Sequence, residues 1–224
     1  VQQEFSNFRF SCQSSLALYE CFPRDRRTKL KIMREQLTFF NSFVKRPSQV
    51  GAVAPSSKRL CTALVDSFDW DAIEYVVELG PGTGVATKLI LDRLRPNTRF
   101  FALERNPRFA EMTLERCGDV EVVEGCATQL ATYCRERGFP RLDAVVSGLP
   151  WASFKASLQN DIMSAMFEVL PVGGRFATFA YLQGLGLPAG QRFAKLLKQN
   201  FSTVGKSRTV WRNLPPAFVY RCTR

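Results

Sequence analysis

The sequence contains no histidine. That removes Ser-His-Asp and Cys-His nucleophile pairs, imidazole acid–base chemistry and Cys/His zinc sites from the functions it can carry. Its seven cysteines are odd in number and include no Cys-x-x-Cys pair, so they read as reduced thiols and no metal site is expected. Cys61, Cys117 and Cys134 fall in helical patterns and read as core residues. No run approaches about 18 consecutive apolar residues, so a transmembrane helix is not expected. The first 30 residues lack the basic start and continuous apolar core of a secretory leader. Neither a phosphate loop ending in Lys-Ser/Thr nor the G-x-G-x-x-G dinucleotide fingerprint occurs.

Acidic residues are unevenly scarce. Residues 1–59 hold 11 Lys/Arg against 4 Asp/Glu, residues 60–145 hold 10 against 14, and residues 146–224 hold 10 against 2. The net charge of +11 therefore sits on the two flanks of a mildly acidic middle. A basic flank suits nucleic acid or an anionic membrane, and ordinary solubility is the alternative explanation.

What is present from residue 75 onward is alternation. The runs YVVEL (75–79), RFFALE (99–104), VEVVEG (120–125), LDAVVSG (142–148) and GRFATFAYL (174–182) read as strands. Helical patterns follow them near 84–95, 107–117, 128–138, 156–170 and 189–200, and two further strands at about 203–212 and 217–223 end the chain. The pattern predicts an α/β fold, a parallel sheet with helices on both faces, whose ligand binds beyond the carboxyl ends of the strands at the switch point. ELGPGTG (78–84) lies at that end, between the first strand and its helix. Gly80, Gly82 and Gly84 allow a tight turn whose backbone approaches a ligand closely. Glu104, 20 residues after Gly84, ends the second strand, where a carboxylate can accept both hydroxyls of a ribose.

VVELGPGTGVAT (76–87) together with Glu104 resembles the class I S-adenosylmethionine-dependent methyltransferases. The resemblance implies a Rossmann-like seven-stranded sheet with its last strand antiparallel. It also implies S-adenosylmethionine lying over the Gly-rich turn, with Glu78, Gly80, Gly82, Gly84, Glu104, Arg105, Cys126, Ala127, Ser147 and Gly148 as the candidate cofactor-binding residues. The family often has an Asp after the third strand; here Gly125-Cys126-Ala127 stands instead, so adenine recognition there would rest on backbone groups. Three further stretches, RPSQVGAVAPSSKRLC (46–61), VVSGLPW (145–151) and NLPPAFVYR (213–221), resemble the bacterial phospholipid N-methyltransferases of the soluble, membrane-associating type. Members of that family methylate phosphatidylethanolamine toward phosphatidylcholine, or other aminolipids such as ornithine lipid. This implies an enzyme at the cytoplasmic face of a membrane, with an anionic membrane surface and an aminolipid as partners.

An adenine N6-methyltransferase acting on rRNA or another nucleic acid is the alternative. Such enzymes show Asn/Asp-Pro-Pro-Tyr after the fourth strand, an acceptor and a ring that hold a flipped base. Here Ser147-Gly148-Leu149-Pro150-Trp151 stands instead, which weakens the acceptor and leaves Trp151 as a stacking or packing ring. A cofactor-binding membrane adaptor without activity is the third reading, and the intact Gly-rich turn argues against it. With no histidine, proton removal from an ammonium substrate falls to Tyr, Asp/Glu, a lipid phosphate or water. Tyr181 and Trp151 are the aromatic candidates for the substrate end of the site, since a ring face attracts a cationic head group.

Residues 1–47 form a predicted helical extension before the methyltransferase domain of residues 48–224. Within it, Leu30, Met33, Leu37, Phe40 and Val44 recur at helical spacing, widened by Phe39 and Phe43 and accompanied by seven Lys/Arg between Arg26 and Arg46. That amphipathic pattern suits a helix lying in a membrane interface and equally one packed on the domain. QVGAVA (49–54) is a candidate lid, and Pro55-Ser56-Ser57 reads as a helix start.

Overall fold

The computed structural model describes residues 57–224; the predicted 27–47 helix, the 49–54 loop and Pro55-Ser56 lie outside them. The first described element is α1 (Lys58–Val65), capped as expected by Ser57, whose hydroxyl accepts the N–H of Leu60. The alternation then follows: β1 (Tyr75–Leu79), α2 (Val85–Leu91), β2 (Arg99–Glu104), α3 (Pro107–Cys117), β3 (Val122–Glu124), α4 (Leu130–Glu136), β4 (Ala144–Ser147), α5 (Ala156–Val169), β5 (Arg175–Tyr181), α6 (Pro188–Asn200), β6 (Thr203–Lys206) and β7 (Ala217–Thr223).

The seven strands form one sheet in the order β3-β2-β1-β4-β5-β7-β6. The pairs among β1 to β5 are parallel, and β7 runs antiparallel between β5 and β6. The order reverses between β1 and β4, where the chain crosses from one half of the sheet to the other. An α/β ligand binds at such a reversal because the loops on either side diverge and leave a crevice.

Strand alternation assigns the two faces. Val77, Leu79, Phe101, Val145 and Phe176 point to one side, into a core completed by Leu130 and Cys134 of α4, Ile162, Met163 and Met166 of α5, and Phe193 and Leu197 of α6. Val76, Ala144, Val146, Ala177 and Val219 point to the other, against Leu60, Cys61 and Leu64 of α1 and Ala86 and Ile90 of α2. Nearly every inward side chain on both sides is apolar, as a sheet covered on both faces requires. Among the described residues, Glu78 and Glu104 are the buried acids, and both stand at the carboxyl end of the sheet.

The differences from the sequence reading are local. The sixth stretch predicted as strand, 203–212, pairs only over Thr203–Lys206, and the remainder is a loop that returns through a single bridge between Val210 and Ala217. The helix predicted over 84–95 ends at Leu91, and the one over 128–138 begins as a short 3₁₀ turn, Ala127–Gln129, ahead of α4.

Candidate active site

Register sets the floor of the site. Leu79, the last residue of β1, pairs with Leu103 on one side and Ser147 on the other, so the loops after β1, β2 and β4 leave the sheet at nearly the same height. Beyond Leu79 the backbone turns through Gly80, Gly82 and Gly84, all at positive φ (72°, 61° and 75°), a conformation that a side chain strains. Gly84 caps α2, and a Cβ there would lie 3.1 Å from the Cα of Thr113, so it lets α2 and α3 meet. Gly82 is different: a Cβ there would meet nothing within 4 Å. The turn is open on that side, and space for a ligand lies over its backbone.

The turn is clipped in place from below. Thr113 donates its hydroxyl to the carbonyl of Gly82 (3.1 Å), and Arg116 donates to the carbonyl of Thr83. The Gly82 N–H donates to Glu104 Oε2 (3.2 Å), and the Asn106 N–H donates to Glu104 Oε1 (2.9 Å). Both Glu104 oxygens thus accept backbone bonds, and the carboxyl keeps further acceptor capacity. Burial pushes the Glu104 carboxyl up from its ordinary value, and the bonds from Asn106 and Gly82 oppose the shift.

Glu78 lies deeper, under the same turn. Its Oε2 accepts a 2.6 Å bond from the hydroxyl of Thr87 on α2. Burial is the main cause that pushes its carboxyl up to about 8; the Thr87 bond pulls it down and the Glu104 charge pushes it further up. Two carboxylates in low-dielectric surroundings, each disfavoured when charged, make this end of the sheet receptive to a cation.

The turn after β4 closes the other wall. A Cβ on Gly148 would sit 2.4 Å from the carbonyl oxygen of Gly80, so only glycine allows the β1 and β4 loops to touch. Gly148 donates its N–H to Leu79 O (2.8 Å), and the side chain of Leu149 packs against Gly80. Ser147 is fully buried; its hydroxyl oxygen accepts from both Trp151 Nε1 (3.0 Å) and Leu149 N (3.3 Å). Trp151 is 2% exposed, stacked on Phe193 at 4.9 Å and edge-on to Phe154 and Phe176. Of the two roles its position allowed, stacking on a substrate or packing, it takes packing, because its ring face and its N–H are already occupied.

Ser147 pairs with Thr178, and β5 runs three residues past that level to end at Tyr181, half-buried, its ring edge-on to Phe179. Arg105 follows Glu104 and is exposed. Cys126 and Ala127 are half-buried after β3, and the Cys126 sulfur accepts a bond from the hydroxyl of Thr128. Glu78, Gly80, Gly82, Gly84, Glu104, Ser147 and Gly148 therefore gather on the three central strand ends, with Cys126, Ala127 and Tyr181 on the next loops outward.

Three contributors escaped the sequence reading. Thr87 and Thr113 carry the hydroxyls that hold Glu78 and the Gly82 carbonyl, and nothing local distinguishes them from other helix threonines. Tyr133 lies over Gly125, where a Cβ would fall 2.3 Å from its hydroxyl, so a side chain at that position would have to displace the ring. Among the described residues, no group of three or more His, Cys, Asp or Glu side chains is arranged to hold a metal ion. Burial pushes the thiols of Cys61, Cys134 and Cys222 up to about 12, which leaves them unreactive at neutral pH.

Known proteins share this fold. No family profile matches the chain. The ornithine lipid N-methyltransferase of Singulisphaera acidiphila is 36% identical over 193 residues, which covers 85% of this chain and 96% of that protein. A ribosomal RNA small subunit methyltransferase A of Chlamydia trachomatis is 31% identical over 94 residues, only 42% of this chain and 31% of that protein. Among solved structures, the O-methyltransferase TomG of Streptomyces achromogenes, in complex with SAM, superposes with a TM-score of 0.58 at 16% identity, over 84% of this chain and 96% of its own. An O-methyltransferase of Bacillus cereus in complex with SAH gives 0.57 at 14% identity, over 91% of this chain and 93% of its own. At those identities the structural likeness speaks for the fold, and the first relative speaks for the family. The chain belongs to the class I S-adenosylmethionine-dependent methyltransferases, in the family of ornithine lipid N-methyltransferase.

Proposed function

We propose that this enzyme transfers methyl groups from S-adenosylmethionine to the amine of a membrane aminolipid, with ornithine lipid or phosphatidylethanolamine as the substrate. The observation that carries the choice of amine is the occupied turn after β4. A flipped adenine needs an acceptor for its amine and a ring to lie against. Both lone pairs of the Ser147 hydroxyl are taken by Trp151 and Leu149, and the Trp151 ring is packed on Phe193. Neither half of a base clamp is left, which favours an aliphatic amine over the nucleic-acid alternative. The partial match to an rRNA methyltransferase covers too little of either chain to weigh against this.

The residues fit the cofactor. The open backbone at Gly82 gives it a bed, the spare acceptor sites of Glu104 suit a ribose diol, and the buried pair Glu78 and Glu104 suits a positively charged ligand. Arg105, Cys126, Ala127 and Gly148 would line its remaining edges, and the buried Ser147 would hold the turn behind Gly148. When bound, S-adenosylmethionine supplies a sulfonium methyl already activated toward an amine. The chain's own contribution is then mainly alignment of donor and amine, which accounts for a large part of such a rate enhancement. The ammonium must first lose a proton, and histidine is absent, so Tyr181, a carboxylate, the lipid's own phosphate or water takes it. Tyr181, at the end of β5, is the ring we place beside the head group, where its π face tolerates each added methyl.

The enzyme would act as a peripheral protein on the cytoplasmic leaflet. No helix among the described residues is long and apolar enough to cross a membrane. The basic, amphipathic 27–47 segment and the basic last third of the chain support attraction to anionic lipid. The test is methyl transfer from radiolabelled S-adenosylmethionine in parallel to anionic liposomes with phosphatidylethanolamine, to liposomes with ornithine lipid, and to total RNA. Label in one lipid is expected and names the head group. Label in RNA alone, or in none of the three, would overturn the proposal.

A further inference from the structure

Residues 169–224 contain nine Lys/Arg and no Asp or Glu. The fold concentrates part of that charge, together with apolar surface, at one end of the sheet. Among the described residues, the exposed large hydrophobic side chains are Leu114, Val172, Leu187, Trp211 and Leu214. Leu187 lies on the β5–α6 connection and Trp211 and Leu214 on the β6–β7 connection, and both connections leave the carboxyl end of the parallel strands, the end that carries Gly80, Glu104 and Tyr181. The two connections are joined, since Leu182 donates its N–H to the carbonyl of Pro216 (2.9 Å).

The 207–216 loop is built to hold its apolar residues outward. Asn213 is 3% exposed: its amide oxygen accepts the N–H of Ser57 at the start of α1, and its amide nitrogen donates to Pro215 O. The Val210 N–H donates to Ala217 O, and the Asn213 N–H donates back to Val210 O. With its base fixed in this way, the loop leaves Trp211 70% and Leu214 60% exposed. Exposed Arg208 and Arg212 flank Trp211, and α6 adds exposed Arg192, Lys195 and Lys198. Arg192, Arg208 and Arg212 enter no ion pair with another described residue.

A tryptophan and a leucine held in water on an anchored loop, ringed by uncompensated arginines, match a bilayer interface in both polarity and charge. The indole prefers the boundary between head groups and acyl chains, Leu214 the acyl side, and the guanidinium groups anionic phosphates. RNA would satisfy the arginines and could stack on Trp211, but it offers nothing to Leu214 and Leu187.

We propose that the β6–β7 loop docks this enzyme on an anionic bilayer, with Trp211 and Leu214 inserted, Arg208 and Arg212 at the head groups, and the substrate end of the sheet turned toward the lipid. This rests on the aminolipid reading. It adds to that reading a membrane contact made by the β6–β7 loop, one that sets how the site faces its substrate.

Tryptophan fluorescence tests it directly in the full chain. Of the three tryptophans, Trp70 and Trp151 are buried, so a change on membrane contact reports Trp211. Vesicles containing phosphatidylglycerol should shift the emission to the blue and shield it from acrylamide, and vesicles of phosphatidylcholine alone should do so much less. Trp211→Phe should abolish the shift yet still bind. Trp211→Ser with Leu214→Ser should bind about tenfold more weakly at unchanged melting temperature and cofactor affinity. That variant should lose methyl transfer to vesicle aminolipid while keeping it on the same lipid dispersed in detergent. Vesicles that pellet the protein without altering Trp211 emission would overturn the docking surface, as would full binding by the double variant or an equal shift with RNA. An intact shift with no methylation of aminolipid in either form would uphold the surface and overturn the aminolipid reading instead.

Discussion

Replacing Glu78 by glutamine should make the protein less sensitive to alkali. Glu78 titrates near 4.5 when the chain is unfolded and is pushed up to about 8 in the fold, chiefly by burial. Between those values the folded state holds a proton that the unfolded state has lost, so stability falls as pH rises from 4.5 toward 8. At about 1.4 kcal/mol per pKa unit, the loss by pH 8 and above approaches an upper bound of about 5 kcal/mol. For a domain of this size each kcal/mol moves the melting temperature by roughly 2–4 °C, so the bound corresponds to roughly 10–20 °C. The substituted amide keeps an acceptor for the Thr87 hydroxyl but introduces an N–H₂ group without an evident partner, a constant cost of about 1–3 kcal/mol. The absolute stabilities at pH 5 therefore say little, and the difference in slope is the readout. Glu104 is raised by burial too, but it is present in both proteins. Melting followed by circular dichroism from pH 5 to 9, without cofactor, should show the wild type declining more steeply than Glu78→Gln. Cofactor binding measured by calorimetry in buffers of different ionisation enthalpy should release a proton from the wild type near pH 7 and not from the variant. Parallel melting profiles would refute the assignment of a buried, protonated Glu78.

Glu104→Ala removes the acceptor shared by Gly82 and Asn106, and with it the acceptor proposed for the ribose. Calorimetry should show cofactor affinity at least tenfold weaker, and unchanged affinity would refute the role. Gly148→Ala drives a methyl to within 2.4 Å of Gly80 O, a backbone atom that yields only if the β1 and β4 loops separate. Thermal denaturation should record a loss of about 2 kcal/mol, and a melting point equal to wild type would show that the loops do not meet as described. Phe40→Ser with Phe43→Ser should reduce sedimentation with anionic liposomes while sparing cofactor binding. Equal sedimentation would remove the 27–47 segment from the membrane contact.

Periodicity carried the fold because a sheet covered on both faces leaves little choice. The strand runs and the helical patterns between them appear in the observed order, and α3 begins and ends where the pattern does. The weaker assignment was the 203–212 strand. Its composition suits a strand throughout, but pairing stops at Lys206, and the tertiary bonds of Asn213 to Ser57 and Pro215 hold the following residues as a loop. No local signal carries a bond that spans 156 residues. The glycine turn after β1 was legible for a different reason: positive φ restricts residue type, so Gly80, Gly82 and Gly84 announce their geometry in the sequence. Thr87, Thr113 and Tyr133 act through ordinary side chains at ordinary helix positions, and their importance comes only from what faces them.

The presence of Ser147 in place of an amide or carboxylate explains why Trp151 turned inward. An Asn or Asp at that position would offer acceptor atoms beyond the strand end, available to a substrate. The shorter serine keeps its oxygen at the sheet, where the indole N–H of Trp151 reaches it at 3.0 Å, and the ring follows into the pocket formed by Phe154, Phe176 and Phe193. Gln159 then locks the Trp151 carbonyl with a 2.6 Å bond from α5. The wall after β4 becomes a packed apolar corner in place of a base-binding clamp. What remains open at this end of the sheet is backbone and the Tyr181 side, with the buried acid Glu104 beside the turn. A flat heteroaromatic base has little to bind there, whereas an aliphatic ammonium on a flexible lipid head group needs only a counter-charge, a ring face and a direction of approach.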